Sequence, residues 1–152
     1  MTSGMEWIID ARGCLPAPLA SLDTLRALCE SVVRQLELHV VGQPQWHVFP
    51  PPGGVTGLYL LSESHLACHT FPEWGLATFN LYCCRPRADW PWGPHLRAAL
   101  HAQEVVVRVL PRGLAASERV PLAAEGGALP AAGVAAERAR IASRANCGEV
   151  AP

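Results

Sequence analysis

The sequence predicts an α+β fold: a two-layer sandwich in which an antiparallel sheet carries helices on one face. Two observations predict it. Three strand-like segments (55–62, 65–70 and 76–84) follow one another with no helix between them, and only two amphipathic helical stretches (21–36 and about 95–102) flank them. The chain has 152 residues, half of them hydrophobic, and a net charge of −1, which suits one core rather than two.

In chain order, Glu6 to Ala11 contains Trp7-Ile8-Ile9 and runs into Gly13, the pattern of a first strand closed by a turn. From Ser21 to Leu36, apolar residues recur at three-to-four spacing (Leu22, Leu25, Leu28, Cys29, Val32, Leu36), with Ser21 as N-cap and Asp23 in the first turn. Segments 38–41 and 46–49 read as extended, and Pro50-Pro51-Pro52-Gly53-Gly54 interrupts the chain before the three central strands. Pro91 to Pro94 precedes the second helix, and Glu104 to Leu110, with Val105-Val106-Val107, makes the last strand. The sheet face away from the helices needs a cover, which a second subunit would supply. Residues 1–113 are therefore expected to form the domain. Residues 114–152, without an aromatic side chain and dominated by Ala, Gly and Pro, are expected to be a flexible tail with at most a marginal helix at 134–145.

Composition excludes several classes of function. Lysine and arginine are scattered and balanced by acids, unlike a nucleic-acid binder. No apolar run reaches the roughly 18 residues of a membrane helix, and the start of the chain lacks the pattern of a secretion signal, so a cytoplasmic protein is expected. The six cysteines are then expected to be reduced thiols.

Strand alternation sorts the chemistry by face. Leu66 and Cys68 point one way and His65, Ala67 and His69 the other; Ala77, Phe79, Leu81 and Cys83 form an apolar set, leaving Thr78, Asn80, Tyr82 and Cys84 opposite. Cys84 and His69 thus share a side if their strands are neighbours. His39, His47, His95 and His101 read as ordinary hydrogen-bonded histidines, Cys29 as a packed core thiol, and Cys14 and Cys147 as incidental thiols. A zinc site from His65, Cys68, His69, Cys83 and Cys84 is disfavoured, because the pleat scatters these side chains over both faces and no Cys-x-x-Cys pair is present.

The block Ser62-Glu63-Ser64-His65, followed by His69-Thr70-Phe71-Pro72-Glu73 and the downstream Cys84, resembles the prokaryotic S-adenosylmethionine decarboxylase proenzymes. A looser likeness runs from Met5 to about Gly113. The resemblance implies a pyruvoyl-dependent enzyme that cuts itself between Glu63 and Ser64. Ser64 attacks the Glu63 carbonyl, and elimination and hydrolysis leave a pyruvoyl group at residue 64, the covalent cofactor that forms a Schiff base with the substrate. It implies His69 as processing acid/base and Thr56 in place of a processing serine. It also implies Cys84 as proton donor in turnover, Glu73 as a ligand of the ribose hydroxyls, and Phe49 as a ring stacked on adenine; no metal is expected, because the pleat scatters the candidate ligands over both faces. The implied reaction converts S-adenosylmethionine to its decarboxylated form for spermidine synthesis. The implied assembly is a homodimer of cleaved protomers with facing sheets, an α/β/β/α arrangement. Asn80 and Arg85 stand where the family commonly has aspartate and glycine. Ornithine or arginine therefore stays open as the substrate, and a non-catalytic binding homologue as a third reading.

Overall fold

The structure is a computed structural model that describes residues 4–113. The tail, its expected helix at 134–145 and Cys147 lie outside the described residues. The elements run β1 (Gly4–Arg12), α1 (Pro16–Leu19), α2 (Leu22–Gln35), β2 (Gln45–Val48), β3 (Val55–Leu61), β4 (Ser64–Phe71), a 3-10 turn (Pro72–Trp74), β5 (Leu76–Cys83), α3 (Trp92–Leu100) and β6 (Glu104–Arg112). The strands form one sheet in the order β2-β3-β4-β5-β1-β6, with every neighbouring pair antiparallel. This is the expected α+β class. The three central strands, expected as successive strands of an antiparallel sheet, pair in succession, and β1 inserts between β5 and β6.

The helices take one face because their apolar stripes match the inward set of the strands. Leu25, Leu28, Cys29 and Val32 of α2 and Trp92, Leu96 and Leu100 of α3 join Trp7, Ile9, Leu66, Phe79 and Leu81 in one buried cluster. Ser21 caps α2, its hydroxyl accepting from the Thr24 N–H at 3.2 Å. Helix α3 begins at Trp92 rather than His95 and stops where His101 adopts a left-handed φ of 56°. The extended segment 38–41 contributes a single bridge, Val40 to Leu61, because Gly42 (φ 72°) and Pro44 break the edge before β2 resumes it. Helix α1 and the 3-10 turn, both too short for periodicity to reveal, each begin at a proline whose fixed φ suits a first turn.

The outer face has no covering layer among the described residues. It exposes Leu58 and Leu60 on β3 and Leu110 on β6, with Leu60 59% exposed.

Thr70 ties the layers together. Buried on β4, its hydroxyl donates to the Leu19 carbonyl at 2.7 Å and accepts from the Val55 N–H at 2.9 Å, joining α1 to the start of β3. Thr70→Val keeps the shape and removes both bonds. Stripping a partner from buried backbone groups costs about 1–3 kcal/mol, so urea denaturation is expected to show a loss of that size; unchanged stability would contradict the role.

Candidate active site

Ser62 and Glu63 form the two-residue turn between β3 and β4, because Leu61 pairs directly with Ser64. The Glu63–Ser64 bond thus sits where the turn enters β4. Ser64 has φ 146°, a region that side-chain-bearing residues avoid and that costs about 1–3 kcal/mol. Contacts on both sides hold it there. Downstream, β4 is paired on both edges, Ser64 with Leu61 and with Cys83. Upstream, the Glu63 carboxylate, 5% exposed, accepts from the His39 backbone N–H at 3.1 Å, the His39 Nδ1–H at 2.8 Å and Arg87 Nη2 at 3.1 Å. It faces an open polar cavity of about 740 Å³ lined by Glu37, His39, Ser62, Glu63, Arg85 and Arg87. The hydrogen bond from the His39 side chain, working against desolvation, holds the Glu63 carboxyl down at about 2.

The Glu63 carbonyl oxygen accepts from the Cys84 backbone N–H at 2.9 Å. A fixed amide thus points at the oxygen on which negative charge develops if the carbon is attacked. The Ser64 hydroxyl is carried by the next residue, and its Oγ lies 3.2 Å from His65 Nδ1. His65 Nε2 lies 3.0 Å from Asn80 Oδ1, Asn80 Nδ2 donates to Glu6 Oε1 at 2.7 Å, and Glu6 pairs with Arg112. The next two thiols differ in burial: Cys83 is fully buried, its pKa raised by burial to about 11, whereas Cys84 is exposed.

A second cluster occupies the other end of β4. His69 Nδ1 lies 2.5 Å from Thr56 Oγ1, its cross-strand partner, and its ring meets Phe49 at 5.6 Å and Phe71 at 4.3 Å between centroids. Phe71 stacks on Trp74 at 5.0 Å, and Glu73 follows in the 3-10 turn. Burial lowers the His69 pKa below its ordinary 6.5, opposed by the charge of Glu73, so the imidazole is neutral at pH 7. Residues 64 and 69 are five positions apart on one strand, about 17 Å at the usual rise. His69 and Thr56 therefore do not reach Ser64 of their own chain, while Cys84 sits at the Ser64 end.

Sequence reasoning did not assign His39, Arg87 or Glu6 to the site, and it noted Asn80 only as a departure. Glu6 meets Asn80 across 74 positions and His39 meets Glu63 across 24, contacts that no local pattern encodes.

The clamp on Glu63 has a measurable signature. Its folded-state pKa lies below the ordinary 4.5, so its contribution to stability is complete above about 4.5 and is lost as pH falls toward 2. In Ser64→Ala protein, carboxyl NMR is expected to give a midpoint near 2 for Glu63, raised in His39→Ala; an ordinary midpoint insensitive to His39 would refute the clamp.

Comparison with known proteins identifies the family of the chain. Residues 5–113 match the family model for S-adenosylmethionine decarboxylase. The chain is 36% identical over 118 residues to the S-adenosylmethionine decarboxylase proenzyme of Symbiobacterium thermophilum, covering 77% of this chain and 88% of that protein. It is 31% identical over 88 residues to the proenzyme of Pyrococcus abyssi, a match spanning 58% of this chain and only 62% of the archaeal protein. The crystal structure of the adenosylmethionine decarboxylase from Aquifex aeolicus superposes with a TM-score of 0.62 at 27% identity, covering 78% of this chain and 98% of that one. The chain belongs to the S-adenosylmethionine decarboxylase family.

Proposed function

We propose that this chain is a self-processing proenzyme whose mature form decarboxylates S-adenosylmethionine, with activity residing in residues 1–113. One observation carries the proposal: at Glu63–Ser64 a strained serine backbone, a carbonyl already accepting from the Cys84 N–H and a hydroxyl beside an imidazole meet at one peptide bond. The Ser64 hydroxyl adds to the Glu63 carbonyl, relieving the φ strain as the C–N bond opens, and the backbone amide becomes an ester. A base then removes the Ser64 α-proton, Glu63 departs as a carboxylate, and hydrolysis with loss of ammonia leaves a ketone at the new chain end. Glu63 ends the β chain, and the α chain starts at position 64.

The residues around Ser64 fit such a group. The pyruvoyl ketone, once formed, supplies the electron sink for loss of the substrate carboxylate. Cys84 holds its exposed thiol at the same end of the sheet, where it delivers a proton to the substrate carbon. His69, Thr56, Phe49 and Glu73 lie at the far end, so the site is completed by a second copy. Two protomers packed through their uncovered sheet faces, antiparallel about a twofold axis, set the His69 end of one against the Ser64 end of the other and cover Leu58, Leu60 and Leu110. In that assembly His69, neutral and bonded to Thr56, serves as the processing acid/base in trans. Phe49, 41% exposed, offers its ring to adenine, and Glu73 its carboxylate to the ribose hydroxyls. No helix among the described residues is long and apolar enough to cross a membrane, and we place the enzyme in the cytoplasm. S-Adenosylmethionine is preferred as substrate because the relatives carry that name.

Carbon dioxide release, measured separately with S-adenosylmethionine, ornithine and arginine, is expected with the first alone; release only from a basic amino acid would replace the substrate. Ser64→Ala is expected to stay uncut and inactive. Cys84→Ala retains the backbone N–H, and is expected to cut and then turn over about 100-fold more slowly; normal turnover would remove the thiol from the mechanism.

The trans arrangement makes a separate prediction. His69→Ala and Ser64→Ala chains, each uncut alone, are expected to yield cleavage of the His69→Ala chain when co-expressed; no cleavage in the mixture would contradict a shared site.

A further inference from the structure

The imidazole beside the Ser64 hydroxyl belongs to His65, to which no individual step has yet been assigned, and its hydrogen bonds fix its tautomer. A carboxylate only accepts, so the Asn80 amide that meets Glu6 Oε1 at 2.7 Å presents its NH₂ there. Asn80 Oδ1 is thereby turned toward His65, and it also only accepts. The proton shared at 3.0 Å therefore belongs to His65 Nε2, and in the neutral ring Nδ1 is left with a bare lone pair. That lone pair faces Ser64 Oγ at 3.2 Å. The orientation is dictated by the acceptor-only chemistry of Glu6, itself held by Arg112.

We propose, resting on the self-processing reading, that His65 is the base of the first processing step, with Asn80 and Glu6 as positioning residues that hold its tautomer. As Ser64 Oγ bonds to the Glu63 carbon, its proton passes to His65 Nδ1. When the carbon–nitrogen bond breaks, the same proton passes from Nδ1 to the departing nitrogen, giving the ester and a free Ser64 amine with no net proton gained or lost. Negative charge on the Glu63 oxygen is met by the Cys84 N–H. His65 thereby acts within its own chain on the amide-to-ester step, and His69 is left for a later one.

The two steps differ chemically, because hydroxylamine cleaves an ester and spares an amide. Freshly folded wild-type, His65→Ala, Asn80→Ala and His69→Ala chains are followed by gel electrophoresis, with and without hydroxylamine and with and without added imidazole. His65→Ala is expected to process at least about 100-fold more slowly, to stay uncut in hydroxylamine, and to regain cleavage with imidazole. Asn80→Ala is expected to be slowed less, with the same resistance to hydroxylamine. A His65→Ala chain that cuts at the wild-type rate, or that accumulates a hydroxylamine-labile bond, overturns the assignment. So does a slow variant that imidazole cannot restore while Asn80→Ala cuts normally. His65→Gln is judged by the same rate and hydroxylamine criteria if the alanine variant does not fold. A wild-type chain that never cuts overturns the processing reading and this inference with it, whereas wild-type cleavage beside an unimpaired His65→Ala overturns this inference alone.

Discussion

The backbone of Ser64, held at a φ that its side chain disfavours, is the constraint on which the rest of the site depends. A strained residue persists only where its surroundings over-determine it, and here the restraint is divided between the two sides of one bond. Pairing with Leu61 and Cys83 fixes the C-terminal side of the bond. The buried carboxylate of Glu63, tied to His39 and Arg87, fixes the N-terminal side. In the proposed processing reaction, opening the peptide relieves the Ser64 strain that these contacts maintain.

The sheet serves two purposes at this end. By placing the exposed Cys84 directly after the buried Cys83, the end of β5 aims one backbone N–H at the Glu63 carbonyl and leaves one thiol exposed. In the proposed mechanism a single residue supplies a backbone donor to maturation and a side-chain acid to turnover, so substitution of the side chain alone separates the two roles. Distance imposes the other division. The length of β4 keeps His69, Thr56 and Phe49 away from Ser64, which is why the proposed site draws on two protomers. The uncovered apolar side chains Leu58, Leu60 and Leu110 give that face a reason to pair.

Much of this was legible in the sequence because it rests on local periodicity. The alternation of Leu66, Cys68, Phe79, Leu81 and Cys83 marked the buried face, and the stripe from Leu22 to Leu36 marked helix α2 with its Ser21 cap. The motif around Ser64 pointed to the reaction before any geometry was known. The hidden part is long-range or too short to be periodic. Glu6 and Asn80 meet because β1 inserts beside β5, an order that no pattern within either strand encodes. His39 resembles an ordinary surface histidine in sequence, since nothing near it announces the Glu63 carboxylate. His69 and Ser64 belong to one motif yet lie far apart along one strand, because five residues of extended chain span about 17 Å and a strand cannot fold back on itself.

The most direct measurement is the intact mass of purified wild-type protein. We predict two chains that divide between Glu63 and Ser64, the second lighter by one ammonia than simple hydrolysis would leave it and reactive toward a hydrazine. A single chain of 16.3 kDa, or a second chain beginning with an unaltered serine, would contradict self-processing at this bond.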